Sequence, residues 1–180
     1  MLYNDFEVLA MDLRIVKTRK AIRTAFFSLR GKTPLEKVKV VDLCGDALIN
    51  KTTFYKYYDD IFNLSSELED EMFESFWQKF SAEGCLYADT RRFIMELPSA
   101  LDSHSDYLVP LYHDRTDAFF TKLEWELLKH YVPWDGARKD AIRSCFFLCG
   151  LVRMLREIKE HGNYTLEELA DELASFSFVD

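Results

Sequence analysis

The sequence predicts an all-α protein. Three observations carry that expectation: apolar residues recur at steps of three and four along nearly the whole chain, glycine and proline number only six and four in 180 residues, and no stretch alternates with the period of two that a half-buried strand requires. At this length a chain buries roughly 70% of the surface its unfolded form exposes, enough for one compact domain or two that share a core. A hydrophobic fraction of 48% with 30% charged residues excludes disorder and collagen, and four cysteines are too few for a disulfide-stapled mini-protein.

Each element follows from local pattern. Between Asp12 and Gly31 the apolar residues Ile15, Ile22, Phe26 and Leu29 stand at steps of 7, 4 and 3 and form one stripe. Arg14, Lys17, Arg19, Lys20, Arg23 and Arg30 take the other faces, giving an amphipathic helix with a basic outer surface. Gly31 closes it and Thr33-Pro34 opens a turn. A second short helix is expected over Val40–Ala47, burying Val40, Leu43, Cys44 and Ala47. A third runs through Tyr57 behind Asn50, whose side-chain oxygen can cap the free amides of the first turn. The fourth extends from Asp59 to about Phe80, with Asp59 and Asp60 at the positive end of its dipole. Gly84 ends that region. Further helices are expected over 89–103, 105–113, 115–131, 135–161 and 165–177, punctuated by Pro110, by Pro133 with Asp135-Gly136 and by Gly162-Asn163. Thr165 and Glu168 make a capping box for the last.

The formal net charge of −8, taken whole, argues against a nucleic-acid partner. Its distribution argues otherwise. Residues 13–62 hold 11 basic and 5 acidic side chains, a net of +6, whereas residues 1–12 carry −3 and residues 63–180 carry −11. The chain therefore divides into an N-terminal arm over 1–12, with Met11 as eligible a start as Met1, a basic module over 13–62 and an acidic body over 63–180. No apolar run approaches the roughly 18 residues of a membrane span. The N-terminus, with Asp5, Glu7 and Asp12, lacks the basic start of a signal peptide, so the expectation is a cytoplasmic protein without a membrane partner.

Chemistry-bearing motifs are few. Cys44, Cys85, Cys145 and Cys149 form no CxxC pair and read as reduced thiols, and His104, His113, His130 and His161 show no metal-ligand spacing. Cys145 and Cys149, one helical turn apart, sit near the geometric limit for a disulfide and read as packing. No Ser-His-Asp set, phosphate loop or paired-carboxylate motif stands out, so no catalytic residue, cofactor or metal is assigned and an enzyme is not expected.

The basic module reads as a helix-turn-helix, in which the later of two short helices enters the major groove with its N-terminal residues at the base edges. That helix is Lys51-Thr52-Thr53-Phe54-Tyr55-Lys56-Tyr57-Tyr58. Phe54 and Tyr58 share one face and should pack inward against Leu43, Ala47 and Ile22, leaving Lys51, Thr52, Thr53, Tyr55, Lys56 and Tyr57 for phosphate oxygens and base edges. The run from Thr18-Arg19-Lys20-Ala21-Ile22 through Val38-Lys39-Val40-Val41-Asp42-Leu43-Cys44 to Ile49-Asn50-Lys51-Thr52-Thr53-Phe54-Tyr55-Lys56-Tyr57-Tyr58 and Leu64 resembles the TetR family of bacterial transcriptional regulators, over about 50 residues.

That resemblance implies a homodimer on a palindromic double-stranded DNA operator, an N-terminal three-helix helix-turn-helix DNA-binding domain, and a C-terminal helical domain for effector sensing and dimerisation. Thr53, Tyr55 and Tyr57 match positions that usually hold phosphates. Lys51, Thr52 and Lys56 match positions that usually meet bases, and Thr18 and Lys39 fall within the same pattern. Three positions depart from it. Leu48 stands where the turn usually has glycine, so a positive φ would be strained. Lys39 replaces the usual threonine cap of the second helix. Ile61 stands where a lysine often meets phosphate.

The acidic body holds aromatic stripes that read mainly as core. If a ligand pocket lies among its helices, Phe93, Tyr107, Phe119 and Phe146 are the expected lining. Ile142, Cys145, Cys149 and Val152 form one seam of the 135–161 helix, and Leu166, Leu169, Leu173 and Phe176 line the last helix. Together they resemble the two C-terminal helices that pair across the dimer in this family, as a four-helix bundle. The ending GNYTLEELADELASF also looks like TetR relatives that include dihydroxyacetone-kinase operon regulators, some of which answer to a protein partner. The expected function is a repressor released by a small-molecule effector. The alternatives are a regulator controlled by a coactivator protein and a helical binding protein that has lost DNA.

Overall fold

In a computed structural model, residues 2–82, 84–134 and 138–175 are described, residues 2–12 by their backbone alone. They are helical throughout, with no strand among them: α1 (Leu2–Arg30), a 3-10 turn (Leu35–Lys37), α2 (Val40–Asp46), α3 (Lys51–Phe54), α4 (Ile61–Lys79), α5 (Cys85–Ala88), α6 (Thr90–Asp102), α7 (Ser105–Tyr112), α8 (Thr116–Tyr131), α9 (Arg138–His161) and α10 (Leu166–Ser175). The segment 1–12, expected as an arm, continues α1 from Leu2. The Asp135-Gly136 turn and Phe176 lie outside the described residues.

The chain forms two compact units: residues 1–71 with 109–114, and residues 72–108 with 115–180. The division falls nine residues beyond the charge boundary at 62, because α4 is continuous there and its first half buries Ile61, Leu64 and Leu68 within the first unit.

In the first unit the core is Ile22, Ala25 and Phe26 of α1, Leu35, Leu43, Cys44, Phe54, Tyr58 and Leu64. Two α1 residues depart from the expected stripe. Ile15 is 36% exposed, and Arg30 is fully buried where a surface cation was expected. Arg30 follows Phe26 by four residues and so occupies the buried stripe. Its guanidinium donates to the carbonyls of Thr33 at 2.7 Å and Leu111 at 3.1 Å and pairs with Asp114, which also accepts the Leu35 amide at 3.2 Å. Burial works to raise the Asp114 pKa, but the Arg30 hydrogen bond and charge outweigh it and hold the carboxyl below the usual aspartate range.

The second unit is built on aromatic rings. Phe76 stacks on Phe80 at 5.2 Å, Phe93 meets Phe80 and Tyr131 edge-on, and Trp77 stacks on His130 at 4.2 Å. α9 packs on α8, and α10 packs along α6, where Arg91 pairs with Asp171 at 2.6 Å. The Thr165–Glu168 capping box closes at both ends, with the Thr165 amide 2.7 Å from Glu168 Oε2 and the Glu168 amide 3.1 Å from Thr165 Oγ1. Gly162, at φ 63°, ends α9 with its amide on the Ile158 carbonyl at 3.0 Å. Pro110 lies inside α7 and does not separate helices; as the sixth of eight residues it forgoes only its own amide's bond one turn back, and the helix ends two residues later. No helix among the described residues is long and apolar enough to cross a membrane.

Candidate functional site

α2 ends in a Schellman turn: the Ile49 amide reaches the Cys44 carbonyl at 3.0 Å and the Leu48 amide reaches Gly45 at 3.2 Å. This geometry needs a left-handed residue after the cap, and Leu48 supplies it at φ 54°, with its side chain 92% exposed. The turn is thus made without glycine, and the strain falls on a side chain that packs on nothing. Asn50 then caps α3, its Oδ1 accepting from the Thr53 amide at 2.7 Å. Lys39 holds the N-cap position of α2 with no side-chain cap bond.

α3 itself covers Lys51–Phe54, shorter than expected, and the chain continues to Tyr58 through looser helical turns such as Lys56 N–H to Thr53 at 3.3 Å. Phe54 and Tyr58 are buried beneath it, their rings 5.7 Å apart. Above them Lys51, Thr52, Tyr55 and Lys56 are exposed and Tyr57 is half-buried. Lys39, also exposed, lies close by in sequence at the start of α2, and none of Lys39, Lys51 and Lys56 is ion-paired among the described residues. Thr53 is half-buried, and its hydroxyl donates to Asn50 Oδ1 at 2.8 Å, so it serves the cap. Thr18 likewise donates to the Arg14 carbonyl, at 2.8 Å. Ile61, buried at the head of α4, belongs to the core.

The basic surface is narrower than the segment count implied. Arg19 pairs with Glu67 and Arg23 with Glu71, both acids of α4. Glu67 also accepts from the Tyr58 hydroxyl at 3.1 Å, tying the base of α3 to α1 and α4. The exposed cations without an ion pair among the described residues include Lys39 at the N-cap of α2, Lys51 at the start of α3, Lys56 just after it, and those on the outer face of α1.

In the second unit a cavity of about 240 Å³ is lined by α6, α7, α8, α9 and α10. Of the four residues expected to line a pocket, it contains Phe119 alone. Phe93 is fully buried core, Tyr107 is 41% exposed, and Phe146, 79% exposed, borders an open groove with Trp134 and Ile142. The expected dimer seam divides as well. Val152 and Leu169 are buried in this chain's own core, whereas Cys145, Cys149 and Leu173 are half-buried. Burial, with Glu124 Oε1 3.4 Å from its Sγ, pushes the Cys149 thiol up to about 12, which suppresses the reactive thiolate. Ile142 of the expected seam is exposed, and Phe146, four residues on and expected in a pocket, shares its face one step round the helix from the buried one.

No protein-family model matches the sequence, and no curated protein matches it closely enough to serve as a relative.

Proposed function

We propose that the protein is a DNA-binding transcriptional regulator of the TetR type, acting as a homodimer that reads a palindromic operator. One observation carries the reading: the short segment from Lys51 to Tyr58 turns Phe54 and Tyr58 inward while Lys51, Thr52, Tyr55 and Lys56 stay exposed, the two lysines without an ion pair among the described residues. A helix anchored by its aromatic side and free on its polar side is what insertion into a major groove requires. The order of α2, turn and α3, with the Asn50 cap, supports assigning them as a helix-turn-helix. Lys51, Thr52 and Lys56 are then the base-reading candidates, and Lys39, Tyr55 and Tyr57 the phosphate contacts.

Homodimerisation rests on the exposed apolar residues Trp125, Trp134, Ile142 and Phe146, which a second copy would cover. Regulation follows as a two-state coupling in which an effector favours an arrangement whose recognition helices no longer match the groove spacing, at about 1–3 kcal/mol. The reading is tested by gel shift of the full chain against the DNA upstream of its own coding sequence. A specific, salt-sensitive complex is expected, and Lys56→Ala should weaken it. Absence of any specific complex overturns the proposal.

A further inference from the structure

We propose that the cavity in the second unit binds a small apolar zwitterion, the chemistry of a free apolar amino acid. Its walls are Leu101, Phe120, Leu123, Leu155, Ile158 and Leu166, all apolar, around about 240 Å³. Protein interiors leave few voids larger than a water, and an apolar cavity of about 150 Å³ is enough to hold benzene. At roughly 30 Å³ per water the space here equals about eight water volumes, which suits a molecule of about eight to twelve non-hydrogen atoms.

Two charged side chains line the same cavity, Asp102 and Lys159. Both are exposed, and neither is ion-paired with the other or with any described residue. Lys159 holds its ammonium 5.9 Å from the centroid of Phe119, another lining ring. Asp102 is the last residue of α6, at the negative end of that helix's dipole. A cationic group is favoured on that side twice over, by the carboxylate and by the helix end, and an anionic group is favoured beside Lys159. A ligand with one charge leaves the opposite rim charge unmatched, whereas a zwitterion with an apolar body answers all three features. A role for this site as the effector input rests on the regulator reading; binding itself does not.

The test is calorimetric titration of the DNA-free full chain with L-phenylalanine and L-leucine, against 3-phenylpropionate and 2-phenylethylammonium, which each lack one charge. The zwitterions should bind about two- to fivefold more tightly than either analogue, the factor expected of one exposed charge contact. Lys159→Glu should weaken L-phenylalanine by a similar factor and favour the ammonium analogue, with the fold intact because the residue is exposed. Leu108→Trp, which fills the cavity from a half-buried wall position, should abolish binding. The inference is overturned by no heat from either amino acid at millimolar concentration, by equal affinity for a singly charged analogue, or by wild-type affinity in Lys159→Glu. A chain that binds L-phenylalanine here and binds no DNA keeps this inference and loses the regulator reading.

Discussion

Arg30 shows how one side chain can contradict its chemical type. It lies four residues after Phe26, on the stripe that carries Ile22 and Phe26, yet its charge suggests the outer surface. Its partner Asp114 is 84 residues away, so no local pattern announces the pair. Removing one partner of a buried ion pair leaves a desolvated charge, and Asp114→Asn should cost about 3–5 kcal/mol in denaturant unfolding. Because the Asp114 pKa is lowered in the folded state, the unfolded chain binds the extra proton, and the stabilisation present at neutral pH is lost as pH falls below the usual aspartate range. Urea titrations across that window should show the loss in wild type and a flatter profile in Asp114→Asn. Leu48 makes the opposite case, a residue whose strain was legible because the turn demands a positive φ. Leu48→Gly should stabilise by about 1 kcal/mol and raise the melting temperature by about 2–4 °C, since no packing is lost. An unchanged or lower melting point removes strain from the account of this turn.

At the scale of elements, caps and punctuation were legible because they are local. Asn50, the Thr165–Glu168 box and Gly162 act within a few residues of themselves and sit where the pattern puts them. Asn50→Ala should cost about 1 kcal/mol and loosen α3, read by urea unfolding and by faster amide exchange at Thr53. An unchanged unfolding curve would mean that packing of Phe54 alone holds the helix. The short α5 and the 3-10 turn at Leu35–Lys37 escaped because helices of a turn or less carry no periodicity. α9 was legible in extent and not in facing: its sequence offers two overlapping apolar stripes, and only the surrounding helices decide that Val152 goes inside and Phe146 outside. The pocket lining failed for the same reason, since four aromatic residues on different helices converge only through tertiary packing.

Across the whole molecule, the charge asymmetry remains the clearest sequence signal, sharpened by where α4 places its acids. Glu67 and Glu71 neutralise Arg19 and Arg23, so cations free for a polyanion concentrate on Lys39, Lys51, Lys56 and the outer face of α1. The exposed apolar residues of the second unit bear on assembly. Phe146→Glu, at a site 79% exposed, should leave the fold intact and shift the protein from dimer to monomer in sedimentation, whereas a wild-type monomer would refute dimerisation. The central claim is tested most directly by measuring affinity for the protein's own upstream DNA as a function of salt. Specific binding should weaken steeply with salt, by a slope of about −0.9 per phosphate contact, and Lys56→Ala should flatten that slope by about two in the dimer if Lys56 meets phosphate, or relax sequence preference if it meets a base. A salt-independent interaction, or none that distinguishes the upstream DNA from unrelated duplex, would contradict the account.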